Sequence, residues 1–207
     1  MRVPFCFLTL GLIGFFAAAS EAQPIPTSPA RILLEKNWHI QSGCKLSDAG
    51  DAISRSGYSL PGWLATTIPH TVLGAQVDAK LFSDPFYGKN LRAIPGMTYP
   101  EGKIFTNLPM AENSPYKCPW WYRSEFSLPA QLQGKNIWLH FDGINYRANI
   151  WVNGKQIADA EHVAGAYRTY EFNIKDVARV GATNTLAVEV FAQTETDLGI
   201  NFVDWNP

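Results

Sequence analysis

From Trp120 onward, the sequence is a series of short stretches in which apolar and polar residues alternate. Alternation with a period of two places every second side chain on one face of an extended strand, so it favours a half-buried sheet. Asn153-Gly154 predicts a hairpin, because both residues tolerate the positive φ of a two-residue turn. The pattern predicts an all-β, jelly-roll β-sandwich with four or five antiparallel strands here. These stretches lie at 120–128, 136–143, 146–158, 167–174 and 184–191.

The first half of the sequence is less regular. Between residues 44 and 119, Pro, Gly and Asn recur too often for long elements, so we expect long surface loops. Within this region, 69–81 predicts one short helix, with Thr71 placed to cap its start. Before it, the aromatic and β-branched residues of 38–40 favour a strand.

The N-terminus has the pattern of a targeting segment. Residues 1–22 combine a basic start, an apolar stretch and small residues before Gln23, which predicts a signal peptide. A retained N-terminal anchor is the alternative. Residues 23–30 are rich in Pro and predict an extended leader, followed by one β-sandwich domain at 31–207. No later stretch approaches the ~18 apolar residues of a membrane span. We therefore expect a secreted or periplasmic protein without a membrane partner.

Charge and cysteine content narrow the function classes. The chain has 17 basic and 18 acidic residues in no long run of one sign, which does not favour a nucleic-acid partner. After removal of residues 1–22, Cys44 and Cys118 remain, and their spacing is not that of a metal site. An oxidising compartment allows them to pair, while two buried free thiols are the alternative.

Residues that point to catalysis are scarce. The sequence has no nucleophile-elbow motif and no phosphate-binding loop, its four histidines are far apart, and no cofactor is expected. Three glutamates on predicted strands, Glu125, Glu171 and Glu189, have the pattern of outward-facing sheet residues. No catalytic residue is predicted, and a structural metal site in the loops stays open. The sequence thus favours binding over catalysis.

Two polar and aromatic segments are candidates for contacts with other domains. On the strand at 120–128, Trp121 and Arg123 share one face, and Trp120 and Tyr122 share the other. One of these faces is expected in the core, and the other is free to pack on further domains or to bind sugar. Residues 145–147 follow a predicted bend and are interpreted as turn and interdomain contacts.

Four blocks of sequence, at 63–90, 119–126, 141–158 and 202–207, together resemble the N-terminal domain of glycoside hydrolase family 2. The similarity is to the branch of β-mannosidases, exo-β-glucosaminidases and endo-β-mannosidases. It implies a galactose-binding-like jelly roll followed by an immunoglobulin-like domain and a (β/α)8 barrel. In the family the barrel carries the catalytic glutamates, one in an Asn-Glu pair that this sequence lacks. The resemblance implies a non-catalytic domain of a longer modular hydrolase.

The resemblance also implies two substrate-binding residues, Asp204 and Trp205. In the family the matching segment reaches toward the active site, where the aspartate contacts sugar hydroxyls. A carboxylate accepts hydroxyl donors well, and an aromatic face suits the C–H side of a sugar. The alternative is a surface Asp beside a core Trp. Val203 and Asn206 depart from the mannosidase pattern and favour the glucosaminidase or endo-mannosidase side.

The resemblance therefore predicts part of the substrate pocket of a secreted retaining β-glycoside hydrolase. Its partners would be a β-linked mannoside or glucosaminide and the downstream domains of the same polypeptide. One alternative is a stand-alone secreted carbohydrate-binding module without hydrolase activity. Another is a structural domain that contacts only other domains of its own chain.

Overall fold

Eight strands and two short α-helices form the regular structure of the computed structural model, which describes residues 31–96, 111–194 and 197. All of them lie in the larger of the two units into which the chain divides, residues 34–207. The strands are β1 Trp38–Ser42, β2 Leu64–Thr66, β3 Trp120–Ser127, β4 Trp138–Phe141, β5 Ala148–Val152, β6 Lys155–Ala158, β7 Tyr170–Asn173 and β8 Thr183–Val190. The helices are α1 Gly50–Ile53 and α2 Val72–Asp78.

The strands form two antiparallel sheets. Six strands pair in the order β2-β1-β3-β8-β5-β6, and β4 pairs with β7 to form a two-stranded ribbon. The all-β class is confirmed. The predicted four or five strands after residue 120 are an undercount, because the stretch 146–158 supplies both β5 and β6 and the described total there is six.

The main core lies between the six-stranded sheet and the ribbon. Alternate side chains of β5 and β8, such as Ile150 and Leu186, are fully or nearly fully buried there. From the ribbon, Leu139 and Tyr170 pack against the same cluster. Because side chains alternate along each strand, the other face of the ribbon is left to solvent.

The opposite face of the six-stranded sheet is also covered by this chain. Trp121 and Trp151 pack with their ring centroids 5.2 Å apart, beneath Ile53 of α1 and Trp63. Helix α1 approaches so closely that a Cβ on Gly50 would lie 2.3 Å from the Trp151 ring. This packing contradicts the expectation that one face of β3 is free for other domains.

The helix cap and the hairpin turn form at the residues where the sequence predicts them. Oγ1 of Thr71 accepts a hydrogen bond of 3.0 Å from the amide of Gly74, which caps α2 as expected. Asn153 and Gly154 adopt φ of 53° and 87° and join β5 to β6. The short helix in 69–81, the strand at 38–40 and the hairpin are therefore confirmed.

A disulfide joins Cys44 to Cys118, which decides between the two alternatives left by the sequence. The bond ties the turn after β1 to the residues before β3, and the amide of Gly43 donates to the carbonyl of Pro119 at 2.7 Å beside it. The predicted signal peptide at 1–22 and leader at 23–30 lie outside the described residues. Among the helices of the described ranges, none has the length and apolar character to cross a membrane.

Candidate functional site

The two residues predicted to contact sugar, Asp204 and Trp205, lie outside the described residues. In the sequence, the described residues that come nearest before them are 191–194 and Asp197, which follow β8. We call residues 191–197 the exit segment, of which 195 and 196 are not described. The contacts of this segment are the part of the candidate site that the structure provides.

Residues 145–147, just before β5, hold the exit segment. The carbonyl of Arg147 accepts a hydrogen bond of 2.9 Å from the amide of Phe191. Oδ1 of Asn145 accepts one of 3.0 Å from Nε2 of Gln193. Nη2 of Arg147 donates to Oδ2 of Asp197 at 3.1 Å. The residues interpreted as turn and interdomain contacts thus bind the chain's own exit segment, and their interdomain role stays a prediction.

Asp197 closes a tight turn within the exit segment. Its Oδ2 accepts from the amide of Thr194 at 2.7 Å, and its own amide donates to the Thr194 carbonyl at 3.1 Å. The Thr194 amide, together with the Arg147 guanidinium, holds the pKa of the Asp197 carboxyl below its ordinary value. The carboxylate is therefore charged at neutral pH and serves as an anchor for the segment.

The three strand glutamates each accept from a neighbouring nitrogen group. Oε1 of Glu125 lies 2.6 Å from Nη2 of Arg123, and Oε2 of Glu189 accepts from Nδ2 of Asn149 at 2.9 Å. Glu171 contacts His140 at 3.1 Å. Glu189 is half-buried instead of fully outward, because Asn149 is its direct neighbour on β5. These contacts give Glu125 and Glu189 the geometry of structural acceptors.

Arg123, predicted to share a face with Trp121, is a structural residue inside the domain. Its side chain is 4% exposed, with Nε donating to the carbonyl of Ile53 and Nη2 to that of Arg55, each at 3.0 Å. The guanidinium thereby satisfies the carbonyls at the end of α1. This placement leaves neither Arg123 nor Trp121 accessible to a sugar.

The outward side of the β4–β7 ribbon carries a polar group around an exposed tryptophan. Trp138 and His140 point outward from β4, and Asp142 follows the strand. In the structure, Nδ1 of His140 lies 3.1 Å from Oε1 of Glu171, and Nε2 lies 3.1 Å from Oδ1 of Asp142. These hydrogen bonds, that to Glu171 foremost, raise the pKa of His140. A tryptophan in the outward register of an alternating strand is the signal that could have identified this group.

A second pair of exposed aromatics lies in the predicted turn at 83–90. Phe86 and Tyr87 are 96% and 75% exposed. Oδ1 of Asp84 accepts from the amide of Phe86 at 2.9 Å, and the Asp84 carbonyl accepts from Nδ2 of Asn90 at 2.9 Å. The turn is therefore held by its own hydrogen bonds. Within the described ranges, no group of three or more His, Cys, Asp or Glu residues is placed to hold a metal ion.

Comparison with known proteins supports the domain type. Residues 104–200 match the family model described as glycosyl hydrolase 2 galactose-binding domain-like. An exo-β-D-glucosaminidase from Streptomyces avermitilis is 33% identical over 169 residues, which are 81% of this chain and 16% of that protein. A mannosylglycoprotein endo-β-mannosidase from Lilium longiflorum is 28% identical over 163 residues, 76% of this chain and 15% of that protein.

The fold is also similar to that of a solved enzyme. The crystal structure of an exo-chitosanase from Amycolatopsis orientalis matches with a TM-score of 0.70 and 25% identity, over 85% of this chain and 18% of that one. The chain thus spans less than a fifth of the length of each of these three proteins.

Proposed function

The chain carries the galactose-binding-like N-terminal domain of glycoside hydrolase family 2, and from this premise we propose its function. It is the non-catalytic N-terminal domain of a secreted retaining β-glycoside hydrolase of the exo-β-glucosaminidase type. In that enzyme it contributes Asp204 and Trp205 to the substrate pocket. Its partners are a β-linked glucosaminide and the downstream immunoglobulin-like and barrel domains of the same polypeptide.

One observation carries the proposal: the match to an exo-β-D-glucosaminidase runs along 81% of this chain but only 16% of that enzyme. This is the relationship expected between one domain and a modular hydrolase. Retaining glycosidases require two carboxyl groups about 5–5.5 Å apart. Glu125 and Glu189 are instead held by Arg123 and Asn149, which supports placing the catalytic glutamates in a downstream domain.

The exit segment, which precedes Asp204 and Trp205 in the sequence, is attached to the sheet. The Arg147–Asp197 ion pair and the Asn145–Gln193 hydrogen bond tie the segment to the start of β5, an interior strand of the sheet. A site on a loop gains precision when a rigid element supports it.

The proposed secretion has two supports. Residues 1–22 have the pattern of a signal peptide. The Cys44–Cys118 disulfide is of the kind common in proteins of oxidising compartments outside the cytosol, which supports the proposed secretion.

The test uses the full polypeptide purified from the producing cells, identified with an antibody raised against this domain. We expect a species several times longer than 207 residues that cleaves p-nitrophenyl β-D-glucosaminide faster than the β-D-mannoside. Asp204→Asn and Trp205→Ala are expected to lower kcat/KM about tenfold to a hundredfold, through lost contacts to the sugar. Asp176→Asn, an exposed carboxylate outside the proposed pocket, is the control.

Two results would overturn the proposal. A native species no longer than this chain would favour a stand-alone carbohydrate-binding module. A long polypeptide inactive on both glycosides would remove the assignment to β-glycoside hydrolysis. Unchanged kinetics for Asp204→Asn would specifically reject the pocket role of that residue.

A further inference from the structure

We propose that the outward side of the β4–β7 ribbon is a carbohydrate-binding surface, which holds a β-linked glucosaminide chain. We call it the ribbon face and define it by Trp138, His140, Asp142, Glu171 and Asn173. The choice of an amino sugar as its ligand rests on the proposed function. The existence of a binding surface rests on the geometry of the ribbon itself.

The strand register places these side chains together. Trp138 is the direct partner of Asn173, and His140 is the direct partner of Glu171. Residues two apart on a strand point to the same side, and direct partners on paired strands have neighbouring Cβ atoms. The intervening Leu139 and its ribbon neighbours point into the main core. The ribbon face is therefore one continuous patch.

Trp138 is the apolar centre of the patch. Trp138 is 58% exposed, whereas five other tryptophans are each below 10% exposed: Trp38, Trp63, Trp120, Trp121 and Trp151. Leu139 on the opposite side of the strand already supplies the core contact. An indole face suits the C–H side of a pyranose ring, and it attracts a cation held above it. Trp138 thus has the properties of a stacking platform for an amino sugar.

Two carboxylates around His140 lie on the same side of the ribbon and remain accessible. The side chains of Glu171 and Asp142 are 64% and 86% exposed. Both contact the His140 imidazole, which orients them on either side of the ring. Even with His140 charged, the three groups sum to one negative charge. A carboxylate forms strong hydrogen bonds with an ammonium group, so the face complements a glucosaminide better than a neutral mannoside.

The test compares binding of the full polypeptide to a glucosamine hexamer with sulfur-linked units, which resist hydrolysis, and to a β-mannan oligosaccharide by calorimetry, at low and high salt. We expect preference for the glucosamine hexamer and weaker binding in high salt, as screening reduces the charge interaction. Trp138→Ala is expected to weaken hexamer binding about tenfold. Glu171→Gln is expected to weaken it severalfold and to reduce its salt dependence.

Phe86→Ala is the matched control, since Phe86 is exposed but lies outside the ribbon. It is expected to leave hexamer binding unchanged, and the unfolding temperatures of all variants verify folding. Unchanged hexamer binding by Trp138→Ala would overturn the proposal. Equal effects of Trp138→Ala on both oligosaccharides, with no effect of Glu171→Gln, would overturn the amino-sugar assignment.

Hydrolysis of p-nitrophenyl β-D-glucosaminide separates this proposal from the proposed function. Trp138 is not among the residues proposed for the pocket, so Trp138→Ala should leave the kcat and KM of this small substrate unchanged. Trp138-dependent binding in a polypeptide without hydrolysis would support the ribbon face and reject the enzyme assignment. Hydrolysis together with hexamer binding that does not depend on Trp138 would support the enzyme assignment and reject the ribbon face.

Discussion

Nη2 of Arg147 lies 3.1 Å from Oδ2 of Asp197, and this ion pair fastens the exit segment after β8 to the residue that precedes β5. The Asp197 side chain is only 8% exposed. Its carboxylate also accepts from the amide of Thr194. The same carboxylate therefore shapes the turn and attaches it to the sheet.

Replacing Asp197 with Ala should loosen this turn. The Thr194 amide would lose its carboxylate acceptor, so its hydrogen exchange should accelerate about tenfold. Exchange followed by NMR on the full chain measures the effect residue by residue. Asp176→Ala, which removes an exposed carboxylate elsewhere, should leave the Thr194 rate unchanged. Equal rates in wild type and Asp197→Ala would contradict the anchoring role.

Arg123→Met should destabilise the domain by about 3 kcal/mol, because two carbonyls near α1 lose their buried donor. Urea unfolding provides the measurement, with a lower midpoint at constant slope. Arg55→Met is the matched control. It removes an exposed ion pair with Asp51 and should cost about 0.5 kcal/mol or less. Similar losses for the two variants would show that burial of Arg123 contributes little.

Removal of the disulfide should lower stability by about 4 kcal/mol, since it cross-links residues 74 positions apart. The comparison is between the oxidised protein and the double variant Cys44→Ala, Cys118→Ala in chemical unfolding. A reducing agent should lower the stability of the wild type and leave the double variant unaffected. A double variant as stable as the oxidised protein would indicate that the bond is not a main source of stability.

Gly50→Ala tests the approach of α1 to the sheet. The new Cβ would lie 2.3 Å from the Trp151 ring, so the helix or the ring must shift, at a cost of about 2 kcal/mol. Gly143→Ala is the control, because the nearest atom to its added Cβ is 4.0 Å away. Thermal unfolding of both variants measures the difference in stability. A neutral Gly50→Ala would mean that α1 is not closely packed on Trp151.

His140 should show a pH dependence of defined sign. Its folded pKa is raised above the unfolded value of about 6.5. The stabilisation from its hydrogen bonds is therefore fully present below about pH 6.5 and is lost as pH rises through the folded pKa. NMR titration should show that Glu171→Gln lowers the His140 pKa more than Asp142→Asn does. The pKa of His162, whose partner is Asp159, should be the same in Glu171→Gln as in the wild type. A His140 pKa that is unchanged in Glu171→Gln would contradict the contact between His140 and Glu171.

Local patterns in the sequence were sufficient to predict much of the sheet. The alternation in 136–143 identified which side of β4 is buried, because a strand has only two faces. Asn153-Gly154 and Thr71 predicted a hairpin and a helix cap, since both signals act within a few residues. The resemblance to glycoside hydrolase family 2 likewise depended on local blocks of sequence, and the comparisons confirm the family.

Other properties depended on residues distant in the chain, and only the tertiary structure decided them. Alternation showed that Arg123 and Trp121 share a face of β3, but the cover over that face comes from Ile53 of α1, 70 positions from Arg123. The pairing of Cys44 with Cys118 is equally remote. The ribbon face requires the register of β4 against β7, which brings Glu171 beside His140 from 31 positions away. Short-range pattern determines which way a side chain points, whereas the packing of distant segments determines what it meets.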